Sequence, residues 1–391
     1  MKPVYKFIVV FLILGIIAWI IYFVVSKTNT GTGVTTEISA TTTEGLIGEN
    51  KGILAESTTG TITGQNDTNA EISNEENPSG AVKTSFKELR KISDVPAQFY
   101  WYYAENNRIF YITKTGEIKK VIDGKSEAIA LNPLSNVSTV RPNRGGSFVL
   151  LKFTTDTGTM WGVFSSMDEK ITPLNSSIID AVWDFYNENI TASLSNGGKI
   201  SIVSLLREKN YSENTILIPE IKLFDVDMVN KSPNELLFVE KFGNEYATSI
   251  WQYSTKTKLF SIVRSGLLDF SLNPTLSAYF FSSKNDGFVI GNSSLERYFP
   301  TTQKTLPEKC SSVLLTAFCF VPQTSVSFFD WITNSVFSND SLYAYDLDRQ
   351  TEDKIPISDI TKTQIDAKNL MPTASSLYFI NKYDNFIYAF I

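Results

Sequence analysis

Residues 86–391 predict an all-β fold made of repeated four-stranded antiparallel units, and three observations carry that expectation. The aromatic content of the 391-residue chain is 13%, and nearly all of it lies in this stretch. Short β-branched and aromatic runs recur there between Asn, Asp, Gly and Lys turns, with little helical periodicity. Apolar openers return about every 40–45 residues, the length of one four-stranded propeller blade.

The first element in chain order is an uninterrupted apolar run, residues 7–25, FIVVFLILGIIAWIIYFVV. A bilayer core of about 30 Å takes roughly 20 helical residues, so the run is long enough to span it. Lys2, Lys6 and the α-amino group precede it and only Lys27 follows closely, which favours a cytoplasmic N-terminus. A cleavable signal peptide has a shorter core and small residues at its cleavage site, and Val24-Val25-Ser26-Lys27-Thr28 is a poor one. The expectation is an uncleaved single-pass anchor with a cytoplasmic stub at residues 1–6 and everything after Val25 extracytoplasmic. The membrane is then the first partner, through residues 7–25.

Residues 26–85 contain no Phe, Trp or Tyr, and Ser and Thr make up about a third of them. That composition buries too little apolar surface to offset chain entropy. It reads as a disordered tether holding the next domain about 45 Å from the membrane.

Residues 86–391 are then one domain. The segment FYWYYAENNRIFYITKTGEIKKVI reads as three strands with turns at Glu105-Asn106-Asn107 and Lys114-Thr115-Gly116. ITASLSNGGKISIV reads as a hairpin around Asn196-Gly197-Gly198. The recurring openers are Phe99-Tyr100-Trp101, Val137-Ser138-Thr139-Val140, Ile179-Asp180-Ala181-Val182-Trp183, Leu223-Phe224-Asp225-Val226, Leu267-Leu268-Asp269-Phe270 and Cys310-Ser311-Ser312-Val313. Third strands resemble one another too: Ile250-Trp251-Gln252-Tyr253-Ser254 parallels Leu342-Tyr343-Ala344-Tyr345-Asp346.

Asp269-Phe270-Ser271-Leu272-Asn273-Pro274 followed by Ala278-Tyr279-Phe280-Phe281-Ser282 resembles the blade of TolB-type and WD-repeat β-propellers, in which a Ser-Pro-Asp-Gly turn joins the first two strands. Val140-Arg141-Pro142-Asn143-Arg144-Gly145-Gly146-Ser147-Phe148-Val149-Leu150 resembles it as well. The Gly-His pair and the Trp-Asp dipeptide at its usual place are missing, so the resemblance implies architecture and carries no functional residue. Propellers host enzymes, receptors and scaffolds alike.

Counting units gives six complete blades and a seventh with three strands ending at Ile391. The segment Phe86-Lys87-Glu88-Leu89-Arg90-Lys91-Ile92 alternates charged and apolar residues, as an outer strand does. It is expected to complete a seventh four-stranded blade and close the ring. The competing reading makes it spacer or a short helix.

Cys310 and Cys319 fall on adjacent antiparallel strands, where their Cα atoms come within disulfide reach. An extracytoplasmic location favours the bond over two buried thiols. After Cys319, residues 322–339 read as an insertion between the second and third strands of that blade. Phe328, Phe329, Trp331 and Phe337 make it a candidate contact loop, the alternative being a loop packed over the propeller face.

The chain has no histidine, which removes Ser-His-Asp and Cys-His catalysis and the commonest metal ligand. No Gly-x-Ser-x-Gly, Walker A or Gly-x-Gly-x-x-Gly motif occurs. Lys114-Thr115-Gly116 stands without any Ser-x-x-Lys and reads as a turn. Asp225 with Asp227, and Asp346 with Asp348, lack the calcium-loop pattern. No catalytic residue, cofactor or metal site is assigned. A formal charge of −6 and no basic cluster in the domain argue against nucleic acid. The expected function is a non-enzymatic module of the cell envelope that binds a protein or a glycan. The alternative is an extracytoplasmic hydrolase or lyase using two carboxylates, chemistry that needs no histidine. A funnel with two buried acids would favour the enzyme, and a shallow aromatic face the binder.

Overall fold

The structure is a computed structural model that describes residues 85–391 except 187, 213, 223–225, 241–247, 273–277, 284–286, 292–296, 300 and 325–335. The expected stub and anchor, and all of the expected tether except Ser85, therefore lie outside the described residues. Among the described residues no helix is long and apolar enough to cross a membrane.

The described chain is a single all-β propeller. It opens with β1 (Leu89–Lys91), a strand whose partners come from the far end of the sequence. The first sheet is β2 (Ala97–Tyr103), β3 (Arg108–Thr113), β4 (Ile118–Ile122) and β5 (Lys125–Ala128), taken in that order. The second is β6 (Ser135–Pro142), β7 (Phe148–Thr155), β8 (Gly158–Ser165) and β9 (Lys170–Pro173). The third is β10 (Ile178–Trp183), β11 (Ile190–Asn196), β12 (Lys199–Leu205) and β13 (Asn214–Ile221). All pairings are antiparallel, and in each of these three sheets the lowest-numbered strand is the inner one. Five of the six openers read from the sequence overlap inner strands wholly within the described residues. Of the sixth, Val226 is described and opens the next sheet.

That sheet has seven strands: β14 (Val226–Ser232), β15 (Glu235–Glu240), β16 (Thr248–Ser254), β17 (Phe260–Leu272), β18 (Tyr279–Ser283), β19 (Gly287–Gly291) and β20 (Arg297–Phe299). The thirteen-residue β17 pairs with β16 through its first part and with β18 through its last. It is thus the outer strand of one repeat unit and the inner strand of the next. The expected seven separate four-stranded blades are accordingly corrected to six, counted as continuous hydrogen-bonded sheets among the described residues. The cause is local. At two other junctions between an outer strand and the next inner strand a Pro intervenes, Pro133 before β6 and Pro307 in a 3-10 turn before β21. Val263-Arg264-Ser265-Gly266 holds no such breaker, and a left-handed Gly266 (φ 75°) lets the strand bend and continue.

The remaining sheets are β21 (Cys310–Val313), β22 (Thr316–Pro322), β23 (Asp340–Asp346) and β24 (Thr351–Ile355), then β25 (Ala367–Pro372), β26 (Leu377–Asn381) and β27 (Ile387–Phe390). β1 completes the last sheet as its outer strand, with Leu89 opposite Phe390 and Lys91 opposite Tyr388. Further backbone bonds extend the closure. Lys87 N donates to Ile391 O at 2.8 Å, and Ile92 N donates to Ile387 O at 2.8 Å. The segment expected to close the ring does so, and the spacer and short-helix readings fall.

The core lies between neighbouring sheets rather than within any one. Trp101, Phe110 and Ile112 of the first sheet pack on Val149, Leu151 and Phe164 of the second. Phe318 and Phe320 pack on Leu377, Phe379 and Phe390 across the closing seam, with Phe86 against both Phe318 and Phe390. Burying each such side chain contributes roughly 1.5–3 kcal/mol, which is why a ring of small sheets holds together without a common centre.

The expected hairpin at Asn196 is present. Gly197 and Gly198 form its two-residue loop, both in the left-handed region (φ 58° and 82°) that such turns demand.

Candidate functional site

In an antiparallel sheet taken in order, the turn between the second and third strands lies at the end where the inner strand begins. Lys309 immediately precedes β21, Asp340 opens β23, Asp366 immediately precedes β25, and residues 382–386 join β26 to β27. All four therefore meet at one face of the ring, across the seam between its last two sheets.

There Lys309 is buried at 1% exposure with two buried aspartates around it. Its Nζ donates to Asp340 Oδ2 at 2.7 Å, to Asp366 Oδ1 at 2.6 Å and to Ser338 Oγ at 2.9 Å. An ammonium has three N–H donors, so all are used. The carboxylates are satisfied too. Asp340 Oδ1 accepts from Ser338 Oγ at 2.7 Å, and Asp340 Oδ2 from Ala367 N at 3.0 Å. Asp366 Oδ2 accepts from Ser338 N at 3.1 Å and pairs with Lys382 Nζ at 3.2 Å.

Burial and charge split the two acids. Burial pushes the Asp340 carboxyl up, and Lys309, Ser338 and the Ala367 amide only partly oppose it. For Asp366, burial is again the largest influence and acts upward. Lys309, the Ser338 amide and Lys382 together outweigh it and hold this carboxyl below the ordinary value. Two acids enclosing a saturated lysine make an inter-sheet clasp. Among the described residues the oxygens of both acids face Lys309, Ser338, the Ala367 amide and Lys382.

Above the clasp sit two exposed aromatics. Phe337, 57% exposed, stacks on Tyr383, 42% exposed, with centroids 5.1 Å apart and planes 20° apart. Lys382 Nζ lies 5.6 Å from the Phe337 ring centre. Each aromatic neighbours a clasp residue in sequence, Phe337 beside Ser338 and Tyr383 beside Lys382. Burial, then the charges of Asp366 and Asp340, push the Tyr383 phenol up, so it stays a neutral donor. The turn carrying it is tied down by Asp366 N donating to Asn381 Oδ1 at 3.0 Å and Lys382 N to Asp366 O at 2.8 Å.

Of the expected contact loop, Phe337 is therefore placed on this face, whereas Phe328, Phe329 and Trp331 lie outside the described residues. The insertion does run between the second and third strands, from Pro322 to Asp340. Cys310 and Cys319 stand directly opposite in β21 and β22, 4.2 Å apart at Cα, and are joined as a disulfide. Asp346 accepts from the amides of Asp348 and Arg349 and thus shapes a turn. Asp227 contacts Arg141 at 3.5 Å, and Asp225 lies outside the described residues. Lys114-Thr115-Gly116 is a turn with Gly116 at φ 84°. Among the described residues no group of three or more Cys, Asp or Glu side chains is arranged to hold a metal ion.

Sequence reasoning missed the Lys309 clasp and Tyr383. Lys309, Asp340 and Asp366 are spread over 57 residues, and no motif links them. The available signal was positional, since each sits at the start of a strand opening on the same face.

No family model matches the chain, and no curated protein matches it. Solved structures do. An uncharacterized protein from Listeria monocytogenes is similar with a TM-score of 0.53 and 11% identity, over 77% of this chain and 93% of that one. TolB from Acinetobacter baumannii is similar at a TM-score of 0.38 and 12% identity, over 72% of this chain and 75% of that one. The tricorn protease aligns at a TM-score of 0.46 and 10% identity over 78% of this chain, which spans only 34% of the protease. At such identities the likeness is one of fold alone. The β-propeller architecture that the resemblance implied is the one the sheets form.

Proposed function

We propose that this chain is a membrane-tethered, extracytoplasmic propeller that binds a protein or glycan of the cell envelope without chemically altering it. The observation that carries the reading is the Phe337–Tyr383 pair: two large aromatics kept exposed, stacked and flanked by Lys382 on a turn fastened to a buried ion cluster. Rigid exposed aromatics lose little entropy on binding and offer flat faces to sugar rings or apolar side chains. The Cys310–Cys319 bond fits an oxidising compartment. The apolar run at residues 7–25 supports the anchor, and its length is the argument.

Two measurements test this. Protease added to intact cells should release a fragment containing residues 86–391, and full protection would refute the topology. The wild-type chain and a Phe337→Ala/Tyr383→Ala double variant should then be compared for binding to envelope oligosaccharides and to solubilised envelope proteins. The expected result is a partner bound by wild type, released intact and bound at least about tenfold more weakly by the variant. Release of cleaved sugar would establish the carboxylate hydrolase instead.

A further inference from the structure

The turns that join first to second and third to fourth strands lie on the face of the ring opposite the clasp, and several of them carry exposed apolar side chains. The clearest is the two-residue loop of the β21–β22 hairpin, where Val313 pairs with Thr316 and Leu314-Leu315 make the turn. Such loops call for Asn-Gly or a similar pair, because their backbone is left-handed. Leu314 takes that conformation (φ 51°), which is strained for a leucine, and its side chain is 62% exposed. The fold therefore gains neither backbone ease nor much packing from it. A local rule broken without a packing gain marks a position kept for another purpose. Leu315 beside it is exposed as well. Leu259 in the β16–β17 turn is 68% exposed, Tyr186 in the β10–β11 turn is 67% exposed, and Met167 in the β8–β9 turn is also exposed. These tips come from four different repeat units and share one face.

The chain enters the ring on that same face. β27 leaves the clasp face after the turn at residues 382–386 and runs to Ile391 on the other, where Ile391 O accepts from Lys87 N at 2.8 Å. Phe86 belongs to one apolar cluster with Val313, the residue before Leu314-Leu315. The leucine tip thus stands beside the segment through which the apolar run of residues 7–25 is joined to the ring. Charges of both signs accompany the tips: Lys256 and Lys258 by Leu259, Glu188 by Tyr186, and Asp348 and Arg349 in the turn whose Leu347 N donates to Leu315 O at 2.8 Å. A protein partner is met by one contiguous apolar patch. Single apolar side chains spread over separate blades suit a planar apolar phase that yields, and a tyrosine among them suits its interface. We infer that this face rests on the bilayer interface, with Leu314, Leu315, Leu259, Tyr186 and Met167 dipping into the acyl boundary. The mixed charges give no preference for anionic lipid, so apolar insertion makes the contact. The clasp face, with Phe337 and Tyr383, then points away from the membrane. The inference rests on the membrane anchor of the function proposed above and not on the aromatic pair.

The test uses the full chain reconstituted in phosphatidylcholine vesicles whose acyl chains carry a nitroxide quencher. A fluorophore is attached in turn to Leu259→Cys, to Tyr186→Cys and, on the clasp face, to Lys114→Cys in the β3–β4 turn. Cys310 and Cys319 are joined and buried, so they stay unlabelled without reductant. The labels at the two tips should be quenched at least about twofold more than the label on the clasp face, at low and at high salt. Quenching at either tip no greater than on the clasp face, in a chain that floats with the vesicles, would overturn the inference and leave the anchor standing. A chain that does not float with them refutes the anchor and the inference together. Leu314→Asn/Leu315→Gly installs the ordinary turn pair, so this variant should melt no lower than the native chain and yet lose about half or more of the quenching at both tips. Lower stability with unchanged quenching would show that the leucines serve the fold and would overturn the inference. A dimer in detergent that this variant abolishes would assign the leucine tip to a second copy and overturn it as well.

Discussion

Two ion clusters among the described residues bridge neighbouring blades in different ways. At the closing seam Lys309 is buried with three acceptors for three donors, and both its aspartates are buried with it. At a second cluster, on the inner strands β6, β10 and β14, Arg141 is 26% exposed in its side chain, Asp180 is close at 2.6 Å and Asp227 is looser at 3.5 Å. A dry, fully matched cluster has nothing left to offer a ligand, and its disruption strands a charge in the core. A cluster that solvent partly reaches contributes less to folding. The difference separates a cluster whose loss is costly from one whose loss is cheaper.

The largest expected effect concerns the closing seam itself. A chain beginning at Ser93 loses β1 and the apolar contacts of Phe86, Leu89 and Ile92. It also leaves the outer edge of β27 unpaired. Thermal unfolding should show a loss of about 4 kcal/mol or more, or outright aggregation. A chain beginning at Lys83 keeps the strand and should melt like the full chain. Equal melting temperatures for the two would show that closure does not depend on β1.

Next comes the contrast between the two cations. Lys309→Met should cost about 3–5 kcal/mol, because two buried carboxylates lose their partner. Arg141→Met should cost less, about 1–2 kcal/mol, since Asp227 is exposed and Asp180 keeps its bond from Met228 N. Denaturant titrations of both variants measure this, and similar losses would erase the distinction drawn above.

The disulfide should rank below the lysine. Cys310→Ala/Cys319→Ala removes a bond closing a short loop inside an already paired hairpin, at about 2–3 kcal/mol. Unfolding of the native chain with and without reductant should reproduce the same difference.

What was legible in the sequence follows from this physics. Local patterns were readable: the Gly197-Gly198 turn, the inner-strand openers, and the opposition of Cys310 and Cys319 across a tight hairpin. Even ring closure was readable, because residues 86–92 alternate and the last sheet lacked an outer strand. The shared strand β17 was not, since a missing breaker between Val263 and Gly266 looks like an ordinary pair of strands. The clasp was invisible for another reason. Lys309, Asp340 and Asp366 are brought together only by the circular order of the sheets, which no local periodicity encodes. Phe337 could be flagged as an aromatic in an insertion, but its partner Tyr383 comes from the next sheet.

The smallest effect separates the two carboxylates that share Lys309. Burial pushes Asp340 up, so its ionised form is held against a cost, whereas Lys309, the Ser338 amide and Lys382 outweigh burial at Asp366 and hold it down. Asp340→Asn should therefore cost about 1 kcal/mol and Asp366→Asn about 2 kcal/mol, the hydrogen bonds of the latter being to a charge that the site favours. The pH dependence has opposite signs for the two. A lowered folded-state value means that Asp366 contributes fully above its ordinary 3.8 and that the contribution is lost as pH falls through the lowered value. A raised value means that Asp340 stabilises only when protonated, with the contribution present below 3.8 and lost as pH rises through the raised value. In the wild-type chain the two partly cancel on acidification. Asp340→Asn removes the compensating group, so its melting temperature should fall more steeply between about pH 5 and pH 2.5 than that of the wild type. Parallel curves would mean that the two acids titrate as one unit around Lys309 and that their environments do not differ.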